Sequence, residues 1–143
     1  MSGVIVIRYL LKQSSAVTAV IPAANIMAGV LPLGTVLPGI SLSQITSLPF
    51  NFIKTNEANK MHTDRVQVSV ILKTEQGSPQ GKGWPGVKAA LKLILAACPS
   101  QRGTVNGIAV DSIVPDIEII HDEDPVDNTI EGSRDFIVKW IGA

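Results

Sequence analysis

Residues 64–73 read DRVQVSVILK, and they decide what the rest of the chain can be. Val66, Val68, Val70 and Leu72 fall on one side of an extended chain. Arg65, Gln67, Ser69 and Lys73 fall on the other, with Ile71 the exception. Side chains alternate across a strand with a period of two, so this pattern predicts an antiparallel strand with one buried face and one wet face. Immediately downstream the period changes. From Pro85 to Ala97 the apolar positions Val87, Leu91, Ile94 and Leu95, with Cys98 just beyond, stack on one helical face, while Lys88 and Lys92 face water. Pro85 suits the first turn of that helix, where its missing N–H is not needed, and Pro99 blocks continuation.

Two more strands follow. The first, Ile108 to Ile120, is entered through the turn-forming pair Asn106-Gly107. The second, Ile130 to Ile141, places Phe136, Val138 and Trp140 on one face, and the polar HDEDPVDN at 121–128 turns the chain between them. Upstream, Val4, Ile7, Leu10 and Leu11 predict a helix over residues 4–13. Ser14 and Ser15 read as its stop and a new N-cap, for a short helix from Ala16 to Ile21 that ends before Pro22. Residues 22–38, broken by Pro and Gly, read as loop. Ile40, Leu42, Gln44 and Thr46 mark an imperfect strand over 39–46, and residues 47–60 read as a long connection holding Phe50 and Phe52. The order helix, strand, strand, helix, strand, strand predicts a single α+β domain over 1–143. Its expected form is a single four-stranded, mostly antiparallel sheet with helices packed on one face.

The composition narrows function. Twelve basic residues balance twelve acidic ones among 143, whereas a nucleic-acid binder normally shows a basic excess. Charged residues are 17% of the chain and mean hydropathy is +0.30, against about 25% charged in an average domain. No charged residue occurs between Gln13 and Ile53. Pro22, Pro32, Pro38 and Pro49 interrupt that segment too often for a membrane-spanning helix, so it reads as chain lying against apolar surface, its own core or a partner's. The lone Cys98 admits no internal disulfide, which suits a reducing compartment. Arg8 and Lys12 break the early apolar run, so no secretory signal is expected.

Motifs for chemistry are weak. Gly81, Gly83 and Gly86 spell G-x-G-x-x-G before a helix. The preceding strand ends at Lys73, too far for the tight strand-to-helix turn of a dinucleotide site, and position 106 is Asn where an acid is required. Nor is it a Walker loop, because Gln76 and Gly83 occupy its key positions. The acidic run Asp122, Glu123, Asp124 and Asp127 lacks the spacing of a calcium loop and reads as a solvated turn. His62 and His121 stand apart, and Cys98 lies on an apolar helix face. No catalytic, cofactor-binding or metal-ligating residue is expected.

The run TDRVQVSVILKT at 63–74, followed by GVKAALKLILAA at 86–97, resembles the centre of the tail-completion, or tail-terminator, family of long-tailed bacteriophages. The opening YLLKQSSAVTAVIPAANIMAGVLPLGTVLPGISLSQIT resembles that family's helix, spacer helix, loop and strand, and SRDFIVKWIG resembles its last strand. The resemblance covers nearly the whole chain and rests on pattern and element order, without an invariant motif. The polar stretch 54–62 departs from it.

The resemblance implies a virion structural protein with no enzymatic activity and no cofactor, assembled in the host cytoplasm. Its subunits would form a ring, commonly a hexamer, in the neck region at the head-proximal end of the tail. There the ring would end tail-tube polymerisation and offer a surface for head–tail joining. The implied partners are further copies of the chain, the tail tube protein and the head–tail connector protein, with no membrane and no sequence-specific nucleic acid. Met27, Val30, Leu31 and Leu33 are the expected subunit contacts, and Phe50 and Phe52 the expected contacts with a neighbour or the tube. A head-closure or minor tail protein is the alternative within virion structure. From other classes, the alternatives are a small nucleotide-binding enzyme using the Gly81–Gly86 loop and a ferredoxin-like binding module.

Overall fold

The structure, a computed structural model, describes residues 2–32, 34–50, 60–74, 77–78, 81–100, 103–121, 124 and 127–142; at 49–50, 77–78 and 81–83 it describes the backbone. The chain opens with helix α1 (Ser2–Gln13) and helix α2 (Ser15–Val20). Helix α1 forms in spite of four consecutive β-branched residues, because Val4, Val6, Ile7 and Leu11 are all buried against the sheet. Ser14, one residue earlier than the predicted cap, closes the first turn of α2, its Oγ accepting from Val17 N at 3.3 Å.

A single 3₁₀ turn at 23–25 leads into strand β1 (Ile26–Ala28), then β2 (Gly39–Phe50) and β3 (Lys60–Lys73). A small hairpin of β4 (Gly77–Ser78) and β5 (Gly81–Lys82) precedes helix α3 (Gly83–Ala97), and β6 (Gly103–Val105), β7 (Ile108–Ile120) and β8 (Thr129–Gly142) complete the fold.

The main sheet has six strands in the order β1-β2-β3-β8-β7-β6. Pair β1–β2 is parallel and the other pairs are antiparallel, so the sheet is mixed. This corrects the expected single four-stranded, mostly antiparallel sheet: the sheet is six-stranded and curled into a half-barrel with three helices. The two missed strands are three-residue edges, too short to show any periodicity. Helix α1 touches both of these edge strands, β1 and β6, because the sheet wraps around it. Two further expectations change. Segment 22–38 contains the 3₁₀ turn and β1. Segment 47–60 is not one loop, since β2 continues through Leu48↔Thr63 and Phe50↔Met61. Cross-strand pairing there overrides the turn preference of Pro49, whereas residues 51–59 lie outside the described set.

One core fills the concave side. Phe136, Ile7, Leu11, Leu42, Leu72, Leu91, Ile94 and Ile113 are among its fully buried side chains. Burying a Leu, Ile or Phe contributes about 1.5–3 kcal/mol each. Helix α3 lies so close to β8 that a Cβ added at Gly132 would stand 2.4 Å from Val87 Cγ1. Glycine at 132 is therefore a packing requirement of the helix–sheet contact.

Candidate functional site

Two surfaces and one buried carboxyl stand out. The carboxyl is Asp64, fully buried on the same face as Val66. Its Oδ2 accepts from Gly3 N at 3.0 Å and Trp140 Nε1 at 2.9 Å, and its Oδ1 accepts from Ser47 Oγ at 2.6 Å. Strand β3 thus supplies the cap for helix α1, whose own first turn holds no acid. Gly3 is small for the same reason: a Cβ there would be 2.8 Å from Asp64 Cβ. His62, paired with Trp140 across β3 and β8, stacks on its indole with centroids 4.1 Å apart and planes 9° apart. With its three donors placed, Asp64 is a structural pin among α1, β2, β3 and β8. The alternation could have revealed it, because Asp64 occupies a position in phase with the buried valines.

The first surface is the outer face of the sheet, opposite the helices. Cross-strand rows there run Thr46–Arg65–Ile137–Val114, Leu48–Thr63–Lys139–Ser112 and Ser41–Ser69–Ser133–Ile119. Val114, Ile119 and Leu48 are exposed, Leu48 by 67%. Ile45 and Ile117, beside the irregularities of β2 and β7, are exposed too, as is Ile141. Amid this apolar surface Arg65 bridges Asp116 and Asp135, the second at 3.2 Å. Hydrogen bonding to Asp116, and then to Asp135, raises the Arg65 pKa further. Strand β7 pairs with β6 only at residues 108–110, so from Ser112 to Ile120 its outer flank meets no strand among the described residues. Pro115 and two register shifts blunt that edge. The apolar residues of β7 fall on both faces, the pattern of a strand covered on both sides, and this signal was present in the sequence.

The second surface is a groove of about 470 Å³ between α3 and β7–β8, lined by Lys88, Ala89, Lys92, Leu95, Glu118 and Arg134. Arg134 donates to Asp116 O at 2.9 Å and to Glu118 at 3.4 Å, while its Nε is buried with no partner.

The expected contact residues are scattered. Met27 lies half-buried on β1, Val30 is 91% exposed, and Leu31 is half-buried, its Cδ1 2.8 Å from where a Cβ on Gly39 would stand. Phe50 ends β2, with its side chain outside the described residues, as are Leu33 and Phe52. The uncharged segment does carry Val30, Val36, Ile45 and Leu48 as exposed large apolar side chains.

Gly81 and Gly83 flank the junction of β5 and α3. Strand β5 belongs to the small antiparallel hairpin, not to the main sheet, so the loop lacks the parallel βαβ setting of a dinucleotide site. Cys98 is buried, and burial pushes its thiol up to about 12. No three His, Cys, Asp or Glu side chains gather into a metal-binding group among the described residues, and none of the helices is long and apolar enough to cross a membrane.

The chain matches no protein-family model and no curated protein. Among solved structures it is similar to a chain from the virion of a native gene transfer agent particle, with a TM-score of 0.68 at 12% identity. The likeness covers 97% of this chain and 94% of that one, and at such identity it is a likeness of fold.

Proposed function

We propose that the chain is a virion structural subunit of the tail-terminator kind, forming a ring at the head-proximal end of a phage-like tail. The ring would stop tube growth and present a surface to the head connector. The observation that carries the reading is the near-complete overlap with one chain of a virion particle, end to end in both chains. The outer face supports it independently, since exposed apolar side chains gathered on an uncovered sheet face mark an interface. Met27, Val30, Leu31, Leu33, Phe50 and Phe52 remain proposed contacts, joined now by Leu48, Val114 and Ile119. The tail tube protein and the connector are the proposed partners. Ring closure requires a heterologous contact, one patch meeting a different patch on the neighbour.

Light scattering of the purified chain across a concentration series, alone and with isolated tail tubes, tests this. A closed oligomer that binds tube ends is the expected result. An oligomer that ignores tubes but binds head connectors would assign the chain to head closure instead. A monomer under both conditions would refute the ring.

A further inference from the structure

The groove beside α3 concentrates positive charge in a chain that is neutral overall. Helix α3 carries two charged side chains, Lys88 and Lys92, and no acid. Both are exposed, they stand one helical turn apart, and neither forms an ion pair among the described residues. Arg134 of β8 lines the same groove. Its Nη1 donates to Asp116 O and its Nη2 to Glu118 Oε1, while its Nε is a buried donor without an acceptor. Glu118, exposed on β7, is the single acid among the described lining residues. Three cations thus face one carboxylate over a half-buried apolar floor of Ala89 and Leu95.

We infer that this groove is a binding site for an acidic amphipathic helix of another protein, one that sets two carboxylates a turn apart beside apolar side chains. Positions four apart on a helix stand about 5–6 Å from each other, so Lys88 and Lys92 match a pair of acids at the same spacing. The apolar floor receives the side chains between them, in the manner of a helix laid into a groove. The volume of about 470 Å³ holds a few side chains. At the far wall, the Nε–Nη2 edge of Arg134 can donate two parallel bonds to one carboxylate. Glu118 now holds that edge by a single 3.4 Å contact from an exposed position, the kind of pair that an incoming acid displaces at little cost. A phosphate backbone fits less well, since the floor is apolar, an acid stands on the rim and the chain has no basic excess. The inference goes beyond the ring reading and holds for a monomer as well as for a ring.

The test titrates the full chain with a fluorescent synthetic peptide, a helix-forming sequence with glutamates paired one turn apart and leucines beside them. Anisotropy gives the affinity, and amide NMR shifts give the location. The peptide should bind, more weakly as salt is raised, and move the amides of Lys88, Ala89, Lys92 and Leu95. A control peptide with glutamine for each glutamate should bind about tenfold more weakly. K88E/K92E changes two exposed positions, so it should melt as the wild type does, yet lose about tenfold in affinity because each attraction becomes a repulsion. E118Q removes the competing acid and should tighten binding by about threefold, an effect that a merely fold-supporting glutamate would not produce. Equal binding of the glutamine peptide, an unchanged affinity in K88E/K92E, shifts confined to another surface, or no binding at all overturns the inference. An oligonucleotide that moves the same amides while the peptide does not would overturn it in favour of a nucleic-acid site. None of these results bears on the ring reading, which native mass and tail-tube binding decide.

Discussion

Replacing Asp64 with alanine should be among the most damaging single changes in the chain. The substitution removes the acceptor for three donors at once. Gly3 N–H is buried with the first turn of α1 packed over it, so it stays unsatisfied at about 1–3 kcal/mol. Trp140 Nε1 is part-buried and loses about 1 kcal/mol, whereas the Ser47 hydroxyl lies at an exposed position where water replaces the carboxyl. With the loss of packing under α1, the total is about 3–5 kcal/mol. For a domain of this size that corresponds to a fall in Tm of about 10–15 °C. Asp64→Asn is the informative control. Its amide oxygen keeps the Gly3 and Trp140 bonds, and its amide nitrogen donates to Ser47 Oγ, so it should cost only about 1 kcal/mol. Urea unfolding monitored by circular dichroism measures both. If D64A lies within about 1 kcal/mol of wild type, or D64N is as damaging as D64A, the pinning argument is wrong.

Other outcomes follow from the same geometry. Gly132→Ala drives a methyl into Val87 and Leu91 and should destabilise by about 1–3 kcal/mol, read as a lower urea midpoint. Leu91→Ala, a buried truncation in α3, should cost about 2–5 kcal/mol in the same assay. Cys98 should resist a disulfide exchange reagent at pH 8 until the protein is unfolded. Because folding lifts its pKa from 9.0 to about 12, the unfolded chain loses the proton first, so stability should decline as pH rises from about 9 towards 12. Val114→Asp, on the exposed outer face, should abolish oligomers while leaving the monomer's melting temperature within a few degrees. NAD and ATP should leave Tm unmoved, whereas a true ligand at 100 times its Kd would stabilise by about 2.7 kcal/mol.

Much of the scaffold was legible from periodicity. The alternation of 64–73, the helical stacking of Val87, Leu91 and Ile94, and the Asn106-Gly107 turn, where φ is +47° and +80°, each depend on neighbours close in sequence. What escaped depends on partners far away. Strands β1 and β6 exist because longer strands offer them an edge, and three residues contain no period to read. The extension of β2 to Phe50 is imposed by Met61 and His62 across the ladder. Asp64 stands in phase with the buried valines, but the Gly3 and Trp140 donors that satisfy it lie 61 and 76 residues away in sequence. For the site, the uncharged segment drew attention to 13–53, where Val30, Val36, Ile45 and Leu48 are exposed, while Val114, Ile117 and Ile119 of β7 are exposed outside it.

The position of β8 has a consequence for how the chain comes into being. Residues 129–142 pair with β3 on one side and β7 on the other. While a ribosome is still making this segment, β1–β2–β3 and β6–β7 are two strand sets with no backbone ladder between them, linked only through the helices α1 and α3. Each would expose the flank that β8 later fills. Such a chain settles its topology only after its last strand emerges, by long-range closure that is slow relative to local helix formation. Until then the open flanks could pair with those of another nascent copy. A cell producing many copies at once would meet that hazard before any ring is made.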